Sequence, residues 1–377
     1  MRRTPLHLGL LGLILLLLFS AVPSFGQYGK KAKRASLKTR NRQISRFTVR
    51  TDFSKSKKYI SFGGGVGMTN YFGDLSPRSR RGSSELKYTR TYFTGFYLQR
   101  IHPHITIRGA LTWMRLRGDD YSVSKISKPN STEEGRFIRN LSFRNDIFEV
   151  SGVGVFELFP TDRGYLRRNF LNPYGVLGLS LFYHNPKAKT PVVAGETSKW
   201  VALQPLGTEG QFTGIPGTPK PYKRIQLGIP LGVGIRYRLA DKWDLSLEVC
   251  YRFVFTDYID DVSTKFPDSV AYVKMLEQGN ELGVKLSNRS AETIATVNGE
   301  NRSTVFKQWK RPFTERLESE TITYGSADDP NSLALKRYSG MENGASPRGN
   351  KRRDYWLCTA FHVAYILEIK QKPPKFR

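Results

Sequence analysis

Two cysteines and five histidines among 377 residues leave little material for thiol or imidazole chemistry. Neither cysteine, Cys250 or Cys358, lies near the N-terminus, which excludes the lipid-bearing cysteine of a bacterial lipoprotein. Beyond the first 25 residues no run reaches the ~18 apolar residues a membrane helix needs. Neither EF-hand spacing nor a Ser–His–Asp order can be read along the chain. Acidic residues are also few, 32 against 60 Lys and Arg, and the formal charge is +28. With a mean hydropathy of −0.44, bulk hydropathy alone describes a soluble exported chain. No cofactor, metal, nucleic acid or small-molecule substrate is expected.

What is present points elsewhere. Aromatic residues make up 12% of the chain and glycines number 34. Aromatic, glycine-rich strands with alternating polarity and no hydrophobic runs are the mark of a membrane β-barrel. In "RIQLGIPLGVGIRYRL" (224–239) one face is Ile225, Leu227, Ile229, Leu231, Val233, Ile235, Tyr237 and Leu239. The other carries Arg224, Gln226, Arg236, Arg238, three glycines and a proline. "WDLSLEVCYRFVF" and "YWLCTAFHVAYILEI" repeat the pattern, with aromatics gathered toward their ends, as an interfacial girdle requires.

Eight such segments can be counted: roughly 58–73, 90–102, 104–117, 139–158, 172–184, 224–239, 243–257 and 355–369. In the fourth the apolar phase switches near Asp146, which predicts a bulge. Connections alternate between short or medium and long, the long ones being 74–89, 118–138, 185–223 and 258–354. The predicted fold class is therefore all-β, an eight-stranded antiparallel transmembrane barrel over 58–370 with long outer loops and periplasmic termini. A soluble, lipocalin-like barrel is the alternative, but it does not demand this asymmetry. A barrel of this size has a lumen that side chains fill. Arg108, Arg144, Glu149, Arg236, Glu248 and Arg252 are expected to form an ion-paired network there.

The N-terminus, "MRRTPLHLG" followed by "LLGLILLLLFSAV" and "PSFGQ", reads as a signal peptide over 1–26. A short membrane anchor is the other reading. Residues 27–57 form a strongly basic periplasmic segment without fixed structure. Within it Lys30, Lys31, Lys33, Arg34, Lys38, Arg40 and Arg42 are candidate contacts for an acidic periplasmic partner or anionic lipid, or else a solvated leader. Residues 371–377 are a periplasmic tail. The outer loop 258–354 is expected to be partly helical, at "VAYVKMLEQGNELGVKL", and otherwise disordered.

Eight blocks carry a family resemblance: "FGGGVGMTNYFGDL", "RGDD", "RNLSFRNDIFE", "NPYGVLGLSLFYHNPKA", "LQPLGTEGQ", "PLGVGIRYRL", "EVCYRFVFTDYIDDVS" and "RGN…DYW", in that order. Together they resemble the PorG-like outer-membrane barrels associated with the type IX secretion system of the Bacteroidetes. The resemblance implies a non-enzymatic barrel in the cell outer membrane. Its partners would be outer-membrane lipid, lipopolysaccharide and a periplasmic ring of lipoproteins. A stand-alone surface anchor or adhesin-like barrel is the alternative.

Asp74, Asp119, Asp120, Glu209, Asp257, Asp260 and Asp261 fall in these blocks at strand ends, on the outer rim. Asp257, Asp260 and Asp261 with Asp119 and Asp120 could hold calcium, although pairing with loop arginines is the plainer reading. His184, near the same rim, leaves a barrel hydrolase open. Cys250 and Cys358 both face inward, about four residues apart in height by count from the periplasmic ends, so a disulfide would need a favourable stagger. "PDSV" (267–270) resembles a glycosylation signal.

Overall fold

A computed structural model describes residues 58–76, 89–124, 131–161, 164–191, 197–290, 292–302, 319–324, 333–338, 348–349 and 353–367. The basic segment with its seven candidate cations, the signal-peptide region and the C-terminal tail lie outside them.

Eight long strands carry the alternation into space. They are β1 (Ile60–Phe72), β2 (Arg90–His102), β3 (Ile105–Asp119), β4 (Ser142–Glu157), β5 (Leu171–Tyr183), β8 (Ile225–Arg238), β9 (Trp243–Val254) and β12 (Tyr355–Leu367). Each pairs antiparallel with its neighbours in the order β3-β2-β1-β12-β9-β8-β5-β4, and β4 pairs with β3 to close the barrel. Closure removes every free edge among these strands, the condition for crossing hydrocarbon with strands. Short strands β6 (Pro186–Lys189) and β7 (Trp200–Ala202) extend the sheet outward from the upper end of β4. A separate hairpin, β10 (Ser319–Tyr324) and β11 (Leu333–Tyr338), belongs to the longest loop.

Along the strands one face is apolar and exposed. Val66, Leu111, Val150, Leu179, Leu227 and Phe361 are all more than half exposed. Side chains of this kind point out because their partners at alternate positions fill the lumen. Such a continuous outward apolar surface has no place on a water-soluble barrel. At one end Trp243 packs beside Tyr365; at the other Phe72 stacks on Tyr355 and Phe93 on Trp113. These are the two aromatic girdles of a membrane-spanning barrel.

The bulge expected near Asp146 is absent. The β3–β4 register runs without a shift from Ile105↔Phe156 to Asp119↔Ser142. What changes at this height is the solvent. Below it, Phe148 and Val150 face outward; from Ile147 upward, the inward residues Ile147 and Phe143 are buried with Met114, Leu116 and Trp356. The chemistry of the side chains reverses while the backbone continues unbroken.

The outer loops fold over the mouth of the barrel. Helices α1 (Tyr121–Ser124) and α2 (Ser131–Arg139) lie between β3 and β4. Within 270–286 the expected helix is two: α3 (Ser269–Glu277), capped by the Asp268 carboxylate, and α4 (Glu281–Ser287), capped by the Asn280 side chain. Gly279, at φ 73°, supplies the left-handed residue between them.

Candidate functional site: a filled lumen under a buried acidic cap

The inward face of the barrel is a stack of ion pairs. Nearest the short-turn end, Glu157 lies between Arg100 and Arg236, and Asn172 donates to it at 2.9 Å. One layer up, Arg108 forks onto Glu248 at 2.7 and 2.9 Å, and the Tyr174 hydroxyl donates to the same carboxylate at 3.0 Å. Above that, the Arg252 Nε donates to both oxygens of Glu149 at 3.2 and 3.1 Å. Arg168, from the loop after β4, seals the lower mouth by bonding Asp244 and the carbonyls of Tyr165, Ala240, Asp241 and Trp243. Inward glycines make room for rings: a Cβ on Gly65 would sit 2.1 Å from His362, and one on Gly234 would sit 2.4 Å from Tyr174.

Arg144 is not part of this network, contrary to the sequence expectation. It lies on the outward face at the upper end of β4, with its guanidinium 4.3 Å from the centre of the Trp200 ring. The polarity reversal explains the misplacement, because above the girdle charged residues face out. Arg100, Tyr174 and Arg168 are lumen residues that the alternation alone did not single out. The two cysteines also differ from expectation. Cys250 and Cys358 are directly opposite each other on β9 and β12, at one height, and both thiols are free and buried.

At the outer mouth the rim acids converge in a buried cap. Asp120 accepts from Arg139 at 2.8 Å twice, from Arg136 at 3.2 Å and from the Leu141 amide at 3.0 Å. Arg139 continues to the carbonyls of Asp74 and Arg348. Glu209 accepts from the amides of Ser263 and Thr264, the Thr264 and Tyr258 hydroxyls, and Arg348. Asp261, at φ 68°, accepts from Tyr222 at 2.7 Å and from Thr208, with Arg348 beside it. Asp119 caps the turn at Ser122, 2.7 Å from its amide. Asp257 accepts from the Ser263 hydroxyl at 2.8 Å. Blocks 62–75, 117–120, 139–149, 203–211, 248–263 and 348–349 thus meet in one network. Arg348 and Asp354 complete it; the "RGN…DYW" block was their only signal in the sequence.

The acids sit in unequal fields. Burial pushes Asp257 up to about 8, with the charges of Asp74 and Glu209 adding to it. Burial also raises Asp261, to about 6, because Arg348 offsets only part of the desolvation. Asp260 and Asp354 both lie well above the ordinary carboxylate range, through burial first and neighbouring acids second. The Tyr71 hydroxyl is 2.7 Å from each of them and has one proton to give. The second contact therefore needs a proton on a carboxyl group. Among the described residues no three His, Cys, Asp or Glu converge as a metal-ligand set. His184 is held neutral by burial, down at about 4; it stacks on Tyr222, and its Nε2 meets the Lys223 carbonyl.

The fold and its filled lumen define a closed, eight-stranded membrane β-barrel. No family model matches the chain, and no curated protein sequence does. Solved structures similar in fold include the following three. The attachment invasion locus protein Ail of Yersinia pestis is 11% identical over 54% of this chain and 90% of its own, at a TM-score of 0.26. Neisserial surface protein A is 11% identical over 53% and 85%, also at 0.26. A FadL homologue of Pseudomonas aeruginosa is 10% identical over 60% and 51%, at 0.20. At scores of this size the likeness carries no weight for function, and the barrel rests on its own strand register.

Proposed function

We propose that the chain is a non-enzymatic outer-membrane component of a type IX-like protein secretion machine, linked to a periplasmic lipoprotein ring. One observation carries this reading: six of the eight sequence blocks that resemble the PorG-like barrels supply the residues of a single buried cap. A lumen filled by ion pairs also favours a scaffold over a channel. The exposed apolar band, with long loops at one end only, supports placement in an outer membrane. The basic segment 27–57 is the candidate tether to the ring. Two measurements test the reading: the proteins recovered in mild detergent through a tag after Arg377, and the cargo secreted by a deletion strain. Co-purification of periplasmic lipoproteins and loss of secreted cargo are expected; normal secretion refutes it. A stand-alone surface anchor is the second reading, favoured by the ordered cap on the outer face. It is the one left if secretion is normal and surface attachment is lost.

A further inference from the structure

Above the outer girdle, the outward face of three adjacent strands is basic. Trp113 and Phe148 pair across β3 and β4, and Phe148 pairs with Tyr183 of β5. Continuing upward on that face, Arg115 is opposite Asp146 and bonded to it at 2.5 Å. Next comes a row of three cations, Arg117 opposite Arg144 and Arg144 opposite Lys187. Lys189 follows on β6, its ammonium 5.8 Å from the Trp200 ring that Arg144 also covers. Five cations therefore share this face with two carboxylates, Asp146, which also lies 3.9 Å from Arg144, and the buried Asp119 directly above Arg117. Lys187 and Lys189 meet no carboxylate among the described residues, and Arg117 donates to the Val297 carbonyl at 3.5 Å. Like charges directly opposite one another destabilise a sheet, and five cations against two carboxylates leave this face with an excess of three positive charges.

The height of the row identifies the anion. Arg115 lies one alternate residue above the aromatic girdle and the row two, about 7 and 13 Å along the strand at ~3.3 Å per residue. That is the headgroup layer, bounded below by hydrocarbon and above by the cap. We infer that Arg117, Arg144 and Lys187, flanked by Arg115 and Lys189, form a binding site for the phosphorylated headgroup of an outer-leaflet lipid. Guanidinium groups fork onto phosphate oxygens, and the Trp200 ring fixes the position of the Arg144 guanidinium. The inference rests on the outer-membrane placement proposed above, and is independent of any role in secretion.

The test uses the full chain in detergent micelles, titrated with bisphosphorylated lipid A, with the same lipid stripped of both phosphates, and with inorganic phosphate as competitor. Bound lipid is read by native mass spectrometry. Wild type should hold lipid A well above the stripped lipid, and the gap should narrow as salt rises toward 1 M. The triple variant Arg117→Gln, Arg144→Gln, Lys187→Gln should bind about 10- to 100-fold more weakly, the loss expected for three surface cations near an anionic lipid. Membrane fractionation and heat-modifiable gel mobility of both proteins read placement and folding separately from lipid binding. Equal binding of stripped and phosphorylated lipid by wild type overturns the inference, whether or not the variant folds. So does a folded variant that binds lipid A as wild type does. Displacement of lipid A by equimolar inorganic phosphate assigns the row to a soluble anion and overturns it too.

Discussion

Glu248 neutralises Arg108 and anchors Tyr174 in a lumen from which water is largely excluded. Glu248→Gln keeps the shape and removes the charge. It leaves Arg108 buried with its fork facing a neutral amide, and the Arg108 Nε already lacks a partner among the described residues. Removing one partner of a buried ion pair costs about 3–5 kcal/mol, whereas replacing both by apolar groups of similar volume is near neutral. Glu248→Gln should therefore destabilise the barrel by about 3–5 kcal/mol. The double variant Arg108→Met, Glu248→Leu should recover most of that loss, its residual cost being the hydrogen bond lost by Tyr174, about 1–2 kcal/mol. Urea unfolding in lipid vesicles, followed by tryptophan fluorescence, gives both values. If the single variant costs less than about 1 kcal/mol, water screens the pair and the lumen is not a dry plug. If the double variant costs as much as two independent losses, charge balance is not what the pair supplies.

Three other outcomes are expected. Leu247, outward between Ile235 and Phe361, lies near the middle of β9. Leu247→Arg should cost about 2–4 kcal/mol in heat-modifiable gels or urea titrations, while an equal, mild response to Ser246→Arg on the lumen face would contradict the lipid assignment. The cap should loosen as pH rises: Asp257 and Asp261 bind protons more tightly folded than unfolded, so stability falls from the ordinary carboxylate range upward through about 6 and then about 8. Protease cleavage of the outer loops should be faster at pH 9 than at pH 5, and a flat or reversed profile argues against buried, proton-holding acids. Tags in 118–138, 185–223 or 258–354 should be labelled on whole cells and a tag after Phe376 should not; surface labelling of the C-terminus would invert the topology.

The barrel was legible because lipid imposes a two-residue period that no loop interrupts. The "RIQLGIPLGVGIRYRL" face reads the same in sequence and in space, and every segment boundary falls within a few residues of its strand. Arg144 and the absent bulge fail together and for one reason. A period reports which residues alternate, but not the height at which the surroundings change from lipid to water. The cysteine register failed because strand tilt offsets residues counted from the turns, so equal counts do not mean equal heights. The cap was only half legible. Its acids stood out at strand ends, but their partners are set by loop folding: Arg348 reaches Glu209 across 139 residues of chain. No local pattern encodes such a contact.

The joint at Tyr71 has a mechanical consequence. Tyr71 is the last residue but one of the first barrel strand, and Asp354 immediately precedes the last strand; these two strands pair with each other. The hydroxyl that bonds Asp354 also bonds Asp260 of the longest loop, and the Ile259 amide returns to Asp354 at 2.9 Å. The cap is thus a clasp fastened across the seam where the chain's two ends meet. Parting β1 from β12, which would give a polypeptide a sideways exit into the bilayer, would have to unfasten the clasp first. A barrel fastened in this way stays closed along its seam.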